Sequence, residues 1–312
     1  MNSPKYVLGV DGGGTKTVGV LADRRGTEIA RRVSGASNPN VVGLDVSGAV
    51  LVEIVTGCCA DAGCTAADIG GAVFGLAGAG SAANRQHLLD ALHRNFTAAF
   101  PAHIDTDARI ALEGAFTGAP GIAVIAGTGS VIVGKSPREE YFLIGGWGRT
   151  LGDDGSGYFI GIEAARAFAR ILDGLLESPL MTKAFSEKLG WTSRAHLIAA
   201  VYTERLEPST LAPLVLDLAV QNDPAASDIL RRGALALSEQ ILFARTRFTT
   251  PTVRVATIGG LIDKPTIYRE ILTEVLDRAG AGIEVCMPDR PAAEGAVLMA
   301  RKMGGEAVGS RQ

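Results

Sequence analysis

Long apolar runs are missing from this sequence, and aromatic residues and cysteines are few. The 312 residues include two tryptophans and four cysteines, and aromatic residues make up 5%. Glycines interrupt apolar segments such as GIAVIAGTGSVIVG, whereas a membrane-spanning helix needs about 20 apolar residues in succession. The apolar segment near the amino terminus is also too short for a signal peptide. We therefore expect a cytoplasmic protein with no membrane partner.

An excess of charge of one sign is missing as well. The chain carries 30 lysines and arginines against 33 aspartates and glutamates, which gives a formal net charge of −3. No basic cluster stands out, although binding of nucleic acid depends on basic side chains that neutralise phosphates. These features exclude a nucleic-acid partner and favour a small-molecule substrate.

The four cysteines do not form a recognisable framework. Cys58 and Cys59 are adjacent, Cys64 and Cys286 stand apart, and no C-x-x-C pair occurs. This spacing fits neither a disulfide scaffold nor a zinc or iron–sulfur site. We expect reduced, buried thiols.

Glycine is the abundant residue, with 40 in the chain beside 13 prolines and a hydrophobic fraction of 47%. This composition indicates a packed, glycine-rich protein, and the length is typical of two domains. The sequence opens with three strands joined by tight turns and then alternates strands with helices, expected from about 45 to 62 and from 84 to 95. The segment IAVIA-GTG-SVIVGK repeats the opening hairpin, which indicates an internal duplication. The predicted fold is α/β, with two lobes (1–118 and 119–312) that are each a mixed sheet flanked by helices.

The segment Asp11-Gly-Gly-Gly-Thr-Lys-Thr17 joins the first two strands. Successive backbone amides in a glycine turn form a concavity that binds anions, so a phosphate group is expected at Gly13, Gly14, Thr15 and Lys16. Asp11, at the end of the strand, could hold hydrated Mg²⁺. The alternative is a plain hairpin, because Asp-Gly is a favoured turn signal.

A matching turn, Gly127-Thr128-Gly129, opens the second lobe, and we expect it to contact phosphate as well. The residues from Gly129 to Ser136 also satisfy the P-loop pattern G-x-x-x-x-G-K-[ST]. The residues between the two glycines are mostly β-branched, and Pro137 follows. We therefore predict a strand that ends near Lys135 and no P-loop.

Asp107 stands between a predicted strand, AHID, and a predicted helix. It could cap that helix, since Asp is a preferred N-cap residue. It could also act as the general base that takes a proton from an attacking hydroxyl. Position alone leaves both interpretations open.

The loop GGWGRTLGDDGSG combines glycines with an aromatic ring and two carboxylates. Carboxylates accept hydrogen bonds from sugar hydroxyls, and an aromatic plane suits the apolar face of a pyranose. Gly146, Trp147, Gly148 and Asp153 are therefore candidate sugar contacts, against the alternative of an exposed loop that ends in an acidic cap. Asn38 could join them or could belong to a turn.

Paired glycines, Gly259 and Gly260, end a later predicted strand before a helix that is expected near Lys264. Bare backbone at such a place can lie against adenine and ribose. A simple strand-to-helix turn is the alternative. Helices are expected over most of 156–248, and a final helix from about 291 to 303.

Taken in order, DGGGTKT, TDAR, AGTGS, GGWGRTLGDDGSG, IGG and PAAEGAVLMA resemble the BadF/BadG/BcrA/BcrD ATPase family of the actin-like ATPase and sugar kinase superfamily, in its N-acetylglucosamine kinase-like branch. The resemblance covers nearly the whole chain. It implies two ribonuclease H-like lobes around a central cleft, a final helix that packs back on the first lobe, ATP and Mg²⁺ as cofactors, and a homodimer. The residue roles that it implies are phosphate contacts at Thr15 and Thr128, an adenosine contact at Gly260, sugar contacts at Asn38, Asp107, Gly146, Trp147 and Asp153, and Asp107 as the catalytic base.

The function that we expect is ATP-dependent phosphorylation of an amino sugar, N-acetylglucosamine or glucosamine, at the 6-hydroxyl. Alternatives are a kinase for N-acetylmuramic acid or another hexose, and an ATPase activator of a radical acyl-CoA dehydratase or reductase. Such activators hold an iron–sulfur cluster with cysteines after glycine-rich turns, and no cysteine lies near Gly127 or Gly146 in the sequence. A sugar-sensing regulator would need a DNA-binding module, for which we expect no room before Asp11.

Overall fold

The structure, a computed structural model, describes residues 4–96 and 100–309, with the backbone alone for 304–309. The strands are β1 (Tyr6–Gly12), β2 (Thr17–Asp23), β3 (Glu28–Ser34), β4 (Ile69–Leu76), β5 (Ala102–Thr106), β6 (Gly121–Ala126), β7 (Ser130–Lys135), β8 (Tyr141–Gly145), β9 (Val253–Ile258) and β10 (Ile283–Cys286). The helices are α1 (Pro39–Val42), α2 (Leu44–Asp61), α3 (Ala82–Asn95), α4 (Asp107–Ala115), α5 (Gly157–Leu172), α6 (Pro179–Leu189), α7 (Arg194–Ile198), α8 (Ala212–Val220), α9 (Pro224–Arg245), α10 (Ile267–Ala279) and α11 (Ala292–Gly309).

The chain divides into two compact units. Unit 1 comprises Met1–Pro120 and Pro288–Gln312, and unit 2 comprises Gly121–Met287. The last residues of the predicted second lobe, 119–312, group with unit 1, on which the resemblance implies that the final helix packs.

The two units contain sheets of the same topology. The order is β3-β2-β1-β4-β5 in unit 1 and, read in the same direction, β8-β7-β6-β9-β10 in unit 2. The first strand of each unit pairs antiparallel with the second and parallel with the fourth strand of its sheet, and the fourth pairs parallel with the fifth. The predicted fold class is confirmed: the protein is α/β with two mixed, five-stranded sheets.

Both faces of the unit 1 sheet are covered by apolar side chains. On β1, Leu8 and Val10 belong to a core with α2 and α3, whereas Val7 belongs to a second core with α11. This alternation follows from the two-residue period of a strand, which sends successive side chains to opposite faces.

Helix α11 lies against β1 and β4 through glycines. A Cβ added at Gly9 would lie 2.4 Å from the Ala293 carbonyl oxygen, and one added at Gly71 would lie 2.8 Å from the Ala300 carbonyl oxygen. Only glycine lets a helix backbone approach a strand so closely. The final helix begins at Ala292 and continues past the predicted end at Met303 to Gly309.

Local predictions were accurate to a few residues at the helix ends, which are hard to locate from sequence. The helix predicted from Asp45 to Ala62 is α2, and the helix predicted from Asn84 to Asn95 is α3, which begins at Ala82. Within the described ranges, we find no helix with both the length and the apolarity needed to cross a bilayer.

Candidate active site

The parallel strands of unit 1 end at one level. Gly12 of β1 pairs with Leu76 of β4, and Leu76 pairs with Thr106 of β5. The segments that follow these strands therefore meet at the carboxyl edge of the sheet, where open α/β sheets bind ligands. This edge holds the β1–β2 turn and the start of α4.

Backbone hydrogen bonds at Gly13 hold the first glycine turn (Gly13–Lys16) in place. The Gly13 amide donates to the Lys16 carbonyl at 3.0 Å, and the amides of Ser37 and Asn38 both donate to the Gly13 carbonyl at 3.1 Å. Gly14, Thr15 and Lys16 are exposed. Their side chains and backbone can therefore reach a ligand while the base of the turn stays in place.

A chain of buried hydroxyl groups supports the same turn. Thr17 Oγ1 lies 2.7 Å from the Gly35 carbonyl oxygen and 2.8 Å from Ser37 Oγ, and Ser47 Oγ donates to the Ser37 carbonyl at 2.6 Å. Sequence reasoning missed Ser37 and Ser47 as supports, because only the folded chain brings them behind the turn.

Asp107 is the first residue of α4 and does not cap it. The N-cap is Thr106, whose hydroxyl accepts the Arg109 amide at 3.2 Å, whereas Asp107 Oδ1 accepts the amide of Ala108 at 2.9 Å. Burial raises the pKa of Asp107 above its ordinary value. The capping interpretation is therefore wrong, and a half-buried carboxylate stands at the carboxyl edge of the sheet.

Asp11 lies within electrostatic reach of Asp107. Its pKa is raised to about 6, mainly by burial and also by the negative charge of Asp107, and Lys16 partly opposes this shift. Asp105, two residues earlier on β5, differs: burial acts against its ionised form, but hydrogen bonds from His103 and the Thr106 amide hold its pKa below the usual value. Ionisation of Asp11 and Asp107 is thus costly at this edge, whereas the Asp105 carboxylate already has hydrogen-bond partners.

Asn38 is the N-cap of α1. Its Oδ1 accepts the Asn40 amide at 2.9 Å, and a Cβ added at Gly78, in the loop after β4, would lie 2.4 Å from the same oxygen. Asn38 therefore lies at the carboxyl edge, as a sugar contact requires. The side-chain oxygen of Asn38 accepts a backbone amide, so its Nδ2 amide group is left to bind a ligand.

In unit 2 the second glycine turn (Gly127–Gly129) is held by a helix end. The amides of Gly157 and Tyr158, in the first turn of α5, donate to the carbonyls of Gly127 at 2.7 Å and Thr128 at 3.1 Å. The Thr128 side chain is exposed. The helix end is thus used to fix the turn, and the threonine hydroxyl is left to contact a ligand.

Asp153 lies against this second glycine turn. Its Oδ1 accepts the Ser130 amide at 3.4 Å, and a Cβ added at Gly129 would lie 3.0 Å from its Oδ2. Asp153 adopts a left-handed backbone with φ of 59°, which is uncommon for a residue other than glycine. Its sequence neighbour Asp154 accepts the Ser130 hydroxyl through its carbonyl at 2.8 Å. The sequence reasoning did not foresee this contact.

Gly146, Trp147 and Gly148, in the loop GGWGRTLGDDGSG, are exposed to solvent. Trp147 is 74% exposed. Gly146 and Gly148 have φ of 69° and 79°, a backbone conformation that favours glycine. A Cβ added at Gly146 would lie 3.0 Å from Val131 Cγ2. The tryptophan ring is therefore available to a ligand.

Gly259 and Gly260 differ in their surroundings. Gly259 has φ of 99°, and an added Cβ would lie 2.4 Å from the Ala126 carbonyl oxygen, whereas Gly260 has open space around it. The predicted helix start near Lys264 is wrong, because α10 begins at Ile267 with Thr266 as its N-cap. Exposed bare backbone therefore follows β9, next to β6 in the sheet.

The P-loop pattern has no P-loop geometry. Ser130–Lys135 is the strand β7, and Lys135 is buried with its Nζ 2.7 Å from Glu139 Oε2. A P-loop leads into a helix and presents its lysine to phosphate. The prediction of a strand is confirmed.

The cysteines are free thiols. Burial raises the pKa of Cys58 to about 11 and that of Cys59 to about 12. In the ranges that the structure describes, no group of three or more histidine, cysteine or acidic side chains is arranged to hold a metal ion.

A profile of the BadF/BadG/BcrA/BcrD ATPase family matches residues 8–300. The chain belongs to this family. An N-acetylmuramic acid/N-acetylglucosamine kinase from Clostridium acetobutylicum is 28% identical over 95% of this chain and 98% of its own. An N-acetyl-D-glucosamine kinase from Dictyostelium discoideum is 30% identical over 77% of this chain and 79% of its own.

A solved structure extends the likeness to the fold. The crystal structure of a candidate N-acetylglucosamine kinase from Chromobacterium violaceum superposes with a TM-score of 0.74 at 28% identity, over 96% of this chain and all of the other. The fold of this family member is thus that of the actin-like ATPases.

Proposed function

We propose that the protein is an ATP-dependent amino-sugar kinase that phosphorylates N-acetylglucosamine at its 6-hydroxyl. The observation that carries the proposal is Asp107, a half-buried carboxylate with a raised pKa at the carboxyl edge of the unit 1 sheet. Membership of an ATPase family and the kinase names of the relatives support it.

Asp107 acts in this proposal as the general base. Burial raises the pKa of Asp107 and so makes its ionised carboxylate a stronger proton acceptor. A general base works best when its pKa is near the working pH. Asp107 takes the proton of the sugar hydroxyl as the oxygen attacks the γ-phosphorus of ATP, while the bond between that phosphorus and the bridging oxygen breaks and ADP leaves. Transfer of a phosphoryl group otherwise depends mainly on positioning and charge neutralisation.

Asp11 fits a role in holding hydrated Mg²⁺. Its pKa of about 6 reflects burial together with the negative charge of Asp107, and a divalent cation would relieve this cost. Mg²⁺ keeps several of its waters and is commonly bound through one or two carboxylates and substrate phosphates. When bound, the ion supplies positive charge that neutralises the phosphate oxygens.

Bare backbone and hydroxyl groups bind the nucleotide. Gly13, Gly14, Thr15 and Lys16 of the first glycine turn would contact phosphate oxygens, since Gly14, Thr15 and Lys16 are exposed and the hydrogen bonds of Gly13 hold the base of the turn. Gly127, Thr128 and Gly129 would do the same in the second glycine turn. Gly259 shapes the chain so that exposed Gly260 can lie against adenosine.

The proposed sugar contacts are Asn38, Asp107, Gly146, Trp147, Gly148 and Asp153. The exposed Trp147 ring suits the apolar face of a pyranose, and Asn38 offers its Nδ2. Asp153 has a second role. Its hydrogen bond from the Ser130 amide connects the loop GGWGRTLGDDGSG to the second glycine turn.

The test is an ADP-coupled assay with N-acetylglucosamine, glucosamine, N-acetylmuramic acid and glucose, with mass spectrometry of the products. We expect ADP release that requires a sugar, with N-acetylglucosamine giving the highest kcat/KM. The N-acetylmuramic acid arm tests the other substrate named for the Clostridium relative. Rapid ATP hydrolysis at the same rate without sugar would contradict the proposal and favour an activator ATPase.

A further inference from the structure

Unit 1 contains a cavity of about 270 Å³ between the β2–β3 turn and α11. Arg25 belongs to this turn, and Arg290 and Arg301 line the cavity from the segment before α11 and from α11 itself. The β2–β3 turn lies at the opposite end of the sheet from the first glycine turn, because β1 and β2 are antiparallel. The cavity is therefore separate from the carboxyl edge that carries Asp11 and Asp107.

The two carboxylates in the cavity wall, Glu28 and Glu294, are already paired with arginines. Arg31 lies 2.5 Å from Glu28 Oε2 and 3.4 Å from Glu294 Oε1, and Arg290 lies 3.1 Å from Glu294 Oε2. Two arginines thus balance two glutamates.

Two further guanidinium groups have no balancing charge. Within the described residues, the Arg25 side chain makes no ion pair or hydrogen bond, and Arg301 donates only from its Nε, to the Arg24 carbonyl at 3.1 Å. Arginine has five N–H donors, so most of this capacity is unused. Such a pair at the wall of a cavity attracts an anion with several acceptor oxygens.

The turn that carries Arg25 is held in place. Asp23 Oδ1 accepts the amides of Arg25 at 2.8 Å and Thr27 at 2.9 Å. Between them Gly26 has φ of 93°, and an added Cβ there would lie 3.1 Å from Arg301 Nη1. A glycine at this position lets the Arg301 guanidinium approach the turn, so both arginines reach the same cavity.

We propose that this cavity binds a small phosphate monoester, of the class of sugar phosphates. Phosphate oxygens match the paired N–H groups of arginine. Val20, Val297 and Leu298 give the cavity an apolar wall for the carbon skeleton, and Glu28 and Glu294 offer acceptors for hydroxyl groups. The volume lies just below the range of about 300–1,000 Å³ that is usual for ligand pockets, which suits a monosaccharide phosphate better than a nucleotide.

The test is methyl NMR of the full chain with labelled valine and leucine, titrated with glucosamine 6-phosphate or with inorganic phosphate. The choice of an amino-sugar phosphate as the probe rests on the proposed function, but the readout needs no turnover. Methyl groups of Val20, Val297 and Leu298 report the cavity, whereas those of Leu76 and Val131 report the candidate active site. We expect saturable shifts at the cavity methyl groups.

Arg25→Gln should weaken this binding about tenfold or more, because it removes a charged donor. Arg24→Gln is the matched control: the Arg24 side chain donates to the Pro4 carbonyl at 2.8 Å and does not line the cavity. Shifts with both compounds would support a site for the phosphate group, and shifts with glucosamine 6-phosphate alone would support a sugar-phosphate site. No shift at the cavity methyl groups with either compound, or equal weakening by the two variants, would overturn the proposal.

Discussion

The two units share one sheet topology and differ in the chemistry at their carboxyl edges. Gly12 and Thr17 form the last pair of the unit 1 hairpin, and Ala126 and Ser130 form the last pair of the unit 2 hairpin. The position of Asp11 in unit 1 therefore corresponds to Ile125 in unit 2. Likewise, Asp107 follows β5, whereas Met287 follows β10.

This difference shows how two units of one topology can take different roles in a reaction. Unit 1 carries two carboxyl groups whose pKa values are raised, and unit 2 presents glycines after two neighbouring strands. Under our proposal, unit 1 handles the proton and the metal and contacts phosphate through the first glycine turn, whereas the exposed backbone of unit 2 contacts phosphate and adenosine. The following predictions test this division, from the largest expected effect to the smallest.

Asp107→Asn should lower kcat by about 10² to 10⁴-fold, the usual contribution of a general base, with sugar affinity nearly unchanged. Asp105→Asn is the control at the same strand end, since that carboxylate bonds to His103 and the Thr106 amide. Steady-state kinetics of both variants provides the measurement. The role of Asp107 would be refuted by a variant that keeps more than a tenth of the wild-type kcat.

The assignment of Asp107 as the general base also predicts how the reaction depends on pH. A carboxylate must be ionised to accept a proton, and burial raises the pKa of Asp107. Activity should therefore fall as pH decreases, beginning above the pH range of an exposed carboxylate. A kcat profile that stays flat down to pH 4 in a folded protein would count against the assignment.

Asp11→Asn should stabilise the protein at neutral pH while it lowers activity. The pKa of Asp11 rises from 3.8 to about 6 on folding, so the native state binds more protons between these values and wild-type stability falls as pH rises through them. Two pKa units correspond to at most about 3 kcal/mol. Chemical unfolding at pH 4 and pH 8 should show a gain for the variant that is larger at pH 8; an equal gain at both would contradict the raised pKa.

Gly259→Ala should lower the free energy of unfolding by about 1–3 kcal/mol, the cost of a strained left-handed residue. The added Cβ would also meet the Ala126 carbonyl oxygen at 2.4 Å. Gly260→Ala, with open space around it, should cost far less and affect mainly nucleotide affinity. Urea unfolding and a nucleotide titration of both variants separate the two roles. Equal losses of stability would remove the distinction between the glycines.

Thr128→Val should weaken ATP binding by roughly 3- to 10-fold, because it removes one hydroxyl donor. Lys135→Met should leave ATP affinity nearly unchanged, since the Lys135 side chain is buried beside Glu139. Calorimetric titration with a non-hydrolysable ATP analogue gives both affinities. If the lysine variant lost more affinity than the threonine variant, the P-loop pattern would have to be reconsidered.

The features that the sequence predicted correctly are local ones. Strand alternation and glycine turns act over a few residues, so both hairpins and the strand character of Ser130–Lys135 followed from pattern alone. The position of Asp107 after a strand followed in the same way. Its role as base remains a prediction.

The features that were missed depend on contacts between distant residues. Asp153 meets the second glycine turn across a long loop, and Ser47 reaches Ser37 from α2. The resemblance implied the return of the final helix to the first lobe, but the residues that allow the close packing of α11, Gly9 and Gly71, have no distinguishing mark among 40 glycines. A linear pattern carries no signal for such packing.

The most direct test of the central claim is to follow the terminal phosphate of ATP. Wild-type protein is incubated with ATP labelled with ³²P at the γ-position and with N-acetylglucosamine, and the labelled products are separated. We predict that the label appears in N-acetylglucosamine 6-phosphate in step with ADP, and that Asp107→Asn abolishes this transfer while Asp105→Asn retains it. Label that appears only as inorganic phosphate, at a rate independent of the sugar, would contradict the account.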